Sequence, residues 1–194
     1  MNNNNVMHDV GWSPVYKKMQ DYGKEFINNL LAANTVASFG DLHVIVHRSM
    51  GNAIPDWIVN SFTIAPEILQ VFAIPPGALG MIHKDGINRK ATFNIPISGY
   101  TKGDMHWFSD NEALSEFKID CSYTKVRLTN EEINVKGTRL DLEPEVICTV
   151  NAPSILNTNV WHRIDNRDNA NWRWVLSIRF AGNPEYNTLI EKIA

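Results

Sequence analysis

Between Ile68 and Phe180 the chain is a succession of short runs rich in β-branched and aromatic residues, ILQVFAI, TFNIPIS, EVICTV and WRWVLSIRF, separated by Pro, Gly, Asn and Asp. Runs of this length, closed by turn formers, read as strands. No long helical pattern alternates with them, and no repeat is present. Many short strands punctuated in this way predict a barrel or a jelly roll of two sheets. The expected architecture is mainly β with flanking helices.

The flanks carry the helical signals. In SPVYKKMQDYGKEFINNLLA, Ser13 can cap and Pro14 fits a first helical position, while Tyr16, Met19, Phe26, Leu30 and Leu31 recur at helical spacing. Gly23 interrupts that stretch, which predicts one amphipathic helix or two short ones. At the other end NPEYNTLIEKIA predicts a closing helix with Asn183 as cap and Pro184 in its first turn. LHVIVH alternates like a strand, with His43, Ile45 and His47 on one face; its spacing lacks the Glu of a zinc-protease helix, so no metal role is expected for these histidines. The Asn run at residues 2–5 reads as a disordered end. A chain of 194 residues is long enough for one domain with a sizeable core. Its expected division is 1–67 as support, 68–181 as β core and 182–194 as closing helix.

Bulk properties exclude several function classes. Apolar residues make up 44% and charged residues 20%, without a stretch of roughly 18 apolar residues, so a soluble protein and no membrane partner are expected. The start lacks a basic end followed by an apolar stretch, which makes the cytoplasm the expected compartment. Cys121 and Cys148 form neither a disulfide framework nor a CxxC motif and read as free thiols, Cys148 in the core. A net charge of −3 and a pI near 6.1 make nucleic acid an unlikely partner.

Strand parity separates two kinds of face, because successive side chains point to opposite sides. From Trp172 to Phe180 one face carries Trp172, Trp174, Leu176, Ile178 and Phe180, and the other Arg173, Val175, Ser177 and Arg179. In Lys90–Ser98, Lys90, Thr92, Asn94 and Ser98 oppose Ala91, Phe93, Ile95 and Ile97. Two polar stripes fit either a wet interior or two solvated outer faces. His83, Asp85 and His162, with Arg173 eleven residues further on, bracket these strands. Two imidazoles and one carboxylate can cap one face of Fe(II) and leave the other open to dioxygen.

Taken together, HKDG, TFNIPISG, the Asn-Thr turn into WHRIDN, and RWVLSIRF resemble the double-stranded β-helix (jelly roll, cupin-like) core of Fe(II)/2-oxoglutarate-dependent oxygenases, over roughly Gln70 to Phe180. The aspartyl/asparaginyl β-hydroxylase-like and phytanoyl-hydroxylase-like members are the nearest in pattern. The resemblance implies that His83, Asp85 and His162 bind Fe(II) and that Arg173 pairs with the far carboxylate of 2-oxoglutarate. Thr92 and Asn94 would line the cosubstrate pocket. The implied activity is a dioxygenase that hydroxylates a small molecule, or an amino-acid or protein side chain, with O2 consumed and succinate and CO2 released. The Arg-x-Ser pair of some members is absent, since Val175 stands two residues after Arg173. Arg179 is a rival for the carboxylate.

Formal charges on Fe(II), Asp85, 2-oxoglutarate and Arg173 cancel, as a low-dielectric pocket favours. Asp85 also separates this pattern from related halogenases, which leave the carboxylate position empty for halide. Two other readings stay open: a three-histidine cupin-type dioxygenase that adds His106 to His83 and His162, and a non-catalytic jelly-roll binding module. The first is encouraged by His162 and Asn166, spaced as in a second cupin motif. Trp107 and Phe108, beside His106, fit a substrate rim or plain core.

Overall fold

The computed structural model describes residues 2, 5–32, 44–85, 89–98, 103–110, 112–115, 121–126, 132–137 and 141–193. In chain order the elements are β1 (Met7–Asp9), α1 (Pro14–Ala32), β2 (Val44–Met50), α2 (Asp56–Val59), β3 (Pro66–Ile74), β4 (Ala91–Ser98), β5 (Asp104–Phe108), α3 (Glu112–Ser115), β6 (Cys121–Val126), β7 (Glu132–Gly137), β8 (Val146–Cys148), β9 (Ser154–Asn157), β10 (Trp161–Asp165), β11 (Arg173–Phe180) and α4 (Tyr186–Ile193). Among the described residues the fold is mainly β. A six-stranded antiparallel sheet has the order β1-β9-β4-β11-β3-β2, and a three-stranded one β10-β5-β8; β6 and β7 form a hairpin. Bridges Leu79–Asp165 and His83–His162 lay the segment before β4 along the free edge of β10.

The two faces of the large sheet do different work. Phe93, Ile95 and Ile97 of β4 and Trp174, Leu176, Ile178 and Phe180 of β11 pack with Tyr16, Met19 and Ile27 of α1 and with Tyr186 and Leu189 of α4. That apolar layer is the main core. Burying one such side chain fully is worth about 1.5–3 kcal/mol, so the large sheet cannot be turned over without losing most of the protein's stability. The opposite face, with the polar stripes, is therefore held toward the small sheet. The wet-interior reading is the one the packing enforces for Arg173, Ser177, Thr92 and Asn94; Ser98, at the end of β4, is exposed.

Local structure departs from the sequence reading in a few places. Helix α1 is continuous: Ser13 Oγ accepts the Tyr16 N–H at 3.3 Å as its cap, and Gly23 lies where an added Cβ would stand 2.6 Å from Ile97 Cδ1. Glycine there permits close approach of helix to sheet. Asn183 does not cap α4. It adopts φ 47, and its Oδ1 accepts the Lys90 N–H at 2.9 Å, while α4 begins at Tyr186. Of the Asn run, Asn5 is tied down, since its O accepts from Asn157 Nδ2 (3.0 Å) and the next residue, Val6, is wholly buried; Asn3 and Asn4 lie outside the described residues. His43 and the side chains of Leu30, Leu31 and Cys121 also lie outside them. Cys148 is a buried free thiol. No helix among the described residues is long and apolar enough to cross a membrane.

Candidate functional site

A cavity of about 60 Å³ lies between the sheets, and His83, Asp85, His162, Arg173, Thr92 and Asn94 all line it. Residues separated by up to 90 positions are thus brought to one space.

His83 and Asp85 share a face because the segment is extended and they are two residues apart. Lys84, between them, points the other way and pairs with Asp110 at 2.8 Å. The backbone fixes the segment on both sides: His83 N–H donates to His162 O and His162 N–H to His83 O, each at 2.9 Å, and Asp85 N–H donates to Thr158 O at 3.0 Å. Each imidazole has its Nδ1 2.8 Å from a carbonyl two residues back, Met81 O for His83 and Val160 O for His162. A carbonyl only accepts, so Nδ1 carries the proton and Nε2 keeps its lone pair. The ligand atoms of His83, Asp85 and His162 lie within 4.8 Å of one another, with His83 Nε2 3.6 Å from Asp85 Oδ1. Two adjacent ligands on one ion stand roughly 3 Å apart, a closure that small side-chain rotations supply.

Arg173, at the first position of β11, is 2% exposed. Its guanidinium reaches Asp104 O (3.4 Å), and Gly103 makes room for it: at φ +109 an added Cβ would stand 2.7 Å from Asn166 Oδ1 and 3.6 Å from Arg173 Nη1. Asn166, fully buried, donates through Nδ2 to Pro75 O at 2.7 Å and holds the turn after β3 against that corner. Apolar walls of Phe72, Ile74 and Val175 separate this end from the rest. At the other end Thr92 Oγ1 lies 2.8 Å from Ser177 Oγ and 3.2 Å from Ile178 O, and Ser177 pairs in register with Asn94 and Gln70.

Two rivals go elsewhere. Arg179 donates to Glu67 at 2.9 Å and does not line the cavity. His106 sits on β5 between cavity-facing Met105 and buried Trp107, and so faces away from His83 and His162. The three-histidine arrangement is not formed. His106 Nε2 instead lies 3.7 Å from Asp165 Oδ2, and its buried Nδ1 has no hydrogen-bond partner among the described residues. Burial, opposed by Asp165, lowers its pKa, so it is held neutral. Burial pushes the Asp165 carboxyl up, and hydrogen bonds and charge from Arg167 hold it below the ordinary carboxylate range. Trp107 is wholly buried with its Nε1–H on Asn157 O (3.2 Å) and is core rather than rim.

Sequence reasoning passed over Arg89 and Gln70, which belong to the same space. Arg89 lines the cavity, donates from Nη2 to Gln70 Oε1 at 2.9 Å and holds Nη1 3.5 Å from Asp85 Oδ2. Gln70 is 3% exposed and is the one polar side chain among the buried positions of its strand; a glutamine in ILQVFAI was the available signal.

No family model matches the chain, and no curated protein does. Among solved structures, the crystal structure of AviO1 from Streptomyces viridochromogenes Tue57 is similar over 93% of this chain and 92% of that one, at 13% identity and a TM-score of 0.48. A likeness of that degree bears on neither function nor mechanism.

Proposed function

We propose that the chain is an Fe(II)- and 2-oxoglutarate-dependent dioxygenase, built on a double-stranded β-helix, that hydroxylates a small molecule or an amino-acid or protein side chain. The observation that carries this reading is the convergence of two Nε2-presenting imidazoles, one carboxylate and one buried guanidinium on a single cavity. The donor set fits the metal: neutral imidazole and carboxylate suit Fe(II), and three protein ligands on one side leave three positions open. Strand order supports the β-helix, since successive segments from β3 to β11 fall on the large and small sheets in a largely alternating sequence.

Each residue then has a task. Met81 O and Val160 O fix the tautomer of the two rings, so that both Nε2 lone pairs are available to a metal. Asp85 supplies the single negative charge. Arg173 would grip the far carboxylate of the keto acid with its planar fork, and burial makes that pairing strong by excluding water. Phe72, Ile74 and Val175 keep solvent off the connecting carbons. When bound, Fe(II) supplies two-electron oxidation of substrate by dioxygen, coupled to conversion of 2-oxoglutarate into succinate and CO2. The test is anaerobic addition of Fe(II) and 2-oxoglutarate to purified protein: a weak visible charge-transfer band is expected, followed by succinate on admission of air. An Asp85→Ala control should give neither. Wild-type protein that holds iron yet shows neither signal would return the cavity to a binding role.

A further inference from the structure

We propose that Arg89 is the anchor for a carboxylate on the prime substrate, on the side of the cavity where Asp85 stands. This rests on the reading of the cavity given above and adds the class of molecule it accepts. Three observations carry it.

The first is charge. Adding Arg89 to the lining changes the balance drawn from sequence: with Fe(II), 2-oxoglutarate, Asp85 and both arginines the cavity carries one net positive charge. A partly buried cation left over in this way is costly unless an anion joins it. One carboxylate on the substrate restores neutrality.

The second is how Arg89 is held. Gln70, itself 3% exposed, accepts a hydrogen bond from Nη2 at 2.9 Å, and Thr158 Oγ1 donates to the Arg89 backbone carbonyl at 2.8 Å. A neutral amide aims the guanidinium without cancelling its charge. Among the described residues its one acidic neighbour across the cavity is Asp85, at 3.5 Å, too long for a strong charge-assisted hydrogen bond. Once Asp85 binds metal, its negative charge is shared with the ion, and the hold on Arg89 weakens further.

The third is position. Arg173 marks the closed end of the cavity at 2% exposure, whereas the Asp85 and Arg89 side chains retain 20% and 22%. Arg89 therefore stands on the more open side of the cavity, beside Asp85. Ser177 and Asn94 add hydroxyl and amide groups on the same side.

A free α-carboxylate and an acidic side chain within a peptide offer the same group to Arg89, so the experiment has two arms. Protein loaded with Zn(II) and 2-oxoglutarate, which cannot turn over, is screened by ligand-observed NMR. One arm pairs L-amino acids with their primary amides; the other pairs N-acetylated, C-amidated peptides containing Asp or Glu with their Asn or Gln counterparts. Carboxylates in one arm should bind about ten- to hundredfold tighter than the matched amides. That preference should vanish in Arg89→Gln and be partly kept in Arg89→Lys, each compared at Zn(II) and 2-oxoglutarate concentrations that saturate that variant. Failure of the loading step itself would sink the metal reading. Successful loading followed by amides binding as well as carboxylates, by no binding in either arm, or by an Arg89→Gln defect confined to metal affinity, would overturn the role of Arg89 alone.

Discussion

His83 and His162 exchange both of their backbone hydrogen bonds, at 2.9 Å each way, and their rings stand 4.5 Å apart at 48°. A directly paired couple on neighbouring strands projects both side chains to the same face, so the pairing alone sets two ligands side by side. Asp85 follows two residues on, and the pleat returns it to that face. Three donors from two strands thus need no loop rearrangement to face one ion.

Replacing any one of the three removes a ligand rather than a support. His83→Ala, His162→Ala and Asp85→Ala are each expected to weaken divalent metal binding by more than the roughly 10- to 100-fold that loss of an outer-shell partner costs. Calorimetric titration with Mn(II) or Zn(II) measures this. Lys84→Ala, on the opposite face, should bind as wild type does; equal loss in that variant would break the assignment.

Arg173 and Arg179 share a strand face, so parity could not choose between them. Burial does. Removing one partner of a buried charge pair costs about 3–5 kcal/mol, so Arg173→Ala should raise the 2-oxoglutarate Kd by about two to three and a half orders of magnitude while metal affinity stays near wild type. Arg179→Ala breaks a surface pair with Glu67 and is expected to leave 2-oxoglutarate binding unchanged. Fluorescence or calorimetric titration of both variants decides the point.

How much of this could be read from the chain follows from which forces act locally. The strand runs, the helix from Pro14 to Ala32 with its Ser13 cap, and the two-faced character of β4 and β11 are local patterns, and all are present. What parity leaves open is which face turns inward; only the packing of α1 and α4 onto Phe93, Leu176 and Ile178 settles that. His106 was eligible as a ligand until its register opposite Arg163 placed it on the outer face of β10 and β5. The link between Arg89 and Gln70 was hidden for a related reason. Nineteen residues separate them, and their 2.9 Å contact exists only once the sheet has formed. Asn183 misled because a residue able to cap a helix also tolerates the left-handed backbone it adopts.

Two neutral histidines outside the cavity give the protein an acid limb. Burial lowers the pKa of His47, which stacks on Phe26 at 3.7 Å, and of His106. The unfolded chain therefore takes up protons near the ordinary value of 6.5 before the folded one does. Stability from these groups is whole above that value and drains away as pH falls through the folded pKa values; depressed Asp165 extends the loss further into acid. Melting temperature of metal-free protein should fall progressively from pH 7 to 5. In a His47→Gln, His106→Gln double variant the fall should be shallower, and an unchanged slope would remove both groups from the account.

Gly103 and Gly77 separate two costs that are usually confounded. Both have positive φ, +109 and +72, so alanine at either is strained by about 1–3 kcal/mol through the backbone alone. Around Gly77 nothing among the described residues lies within 4 Å of an added Cβ, whereas at Gly103 the Cβ meets Asn166 Oδ1 at 2.7 Å. Asn166 cannot yield cheaply, because it is fully buried and its amide holds Pro75 O. Gly103→Ala should therefore lower stability by about 1–3 kcal/mol more than Gly77→Ala in urea unfolding. The same crowding reaches Arg173, whose Nη1 lies 3.6 Å from that Cβ, so 2-oxoglutarate binding should weaken in Gly103→Ala and hold in Gly77→Ala. Metal affinity should be equal in the two variants, since His83, Asp85 and His162 are positioned by β10 and Thr158 and not by this turn. Equal stability losses, or a metal defect in Gly103→Ala, would show that the corner around Arg173 is softer than its burial indicates.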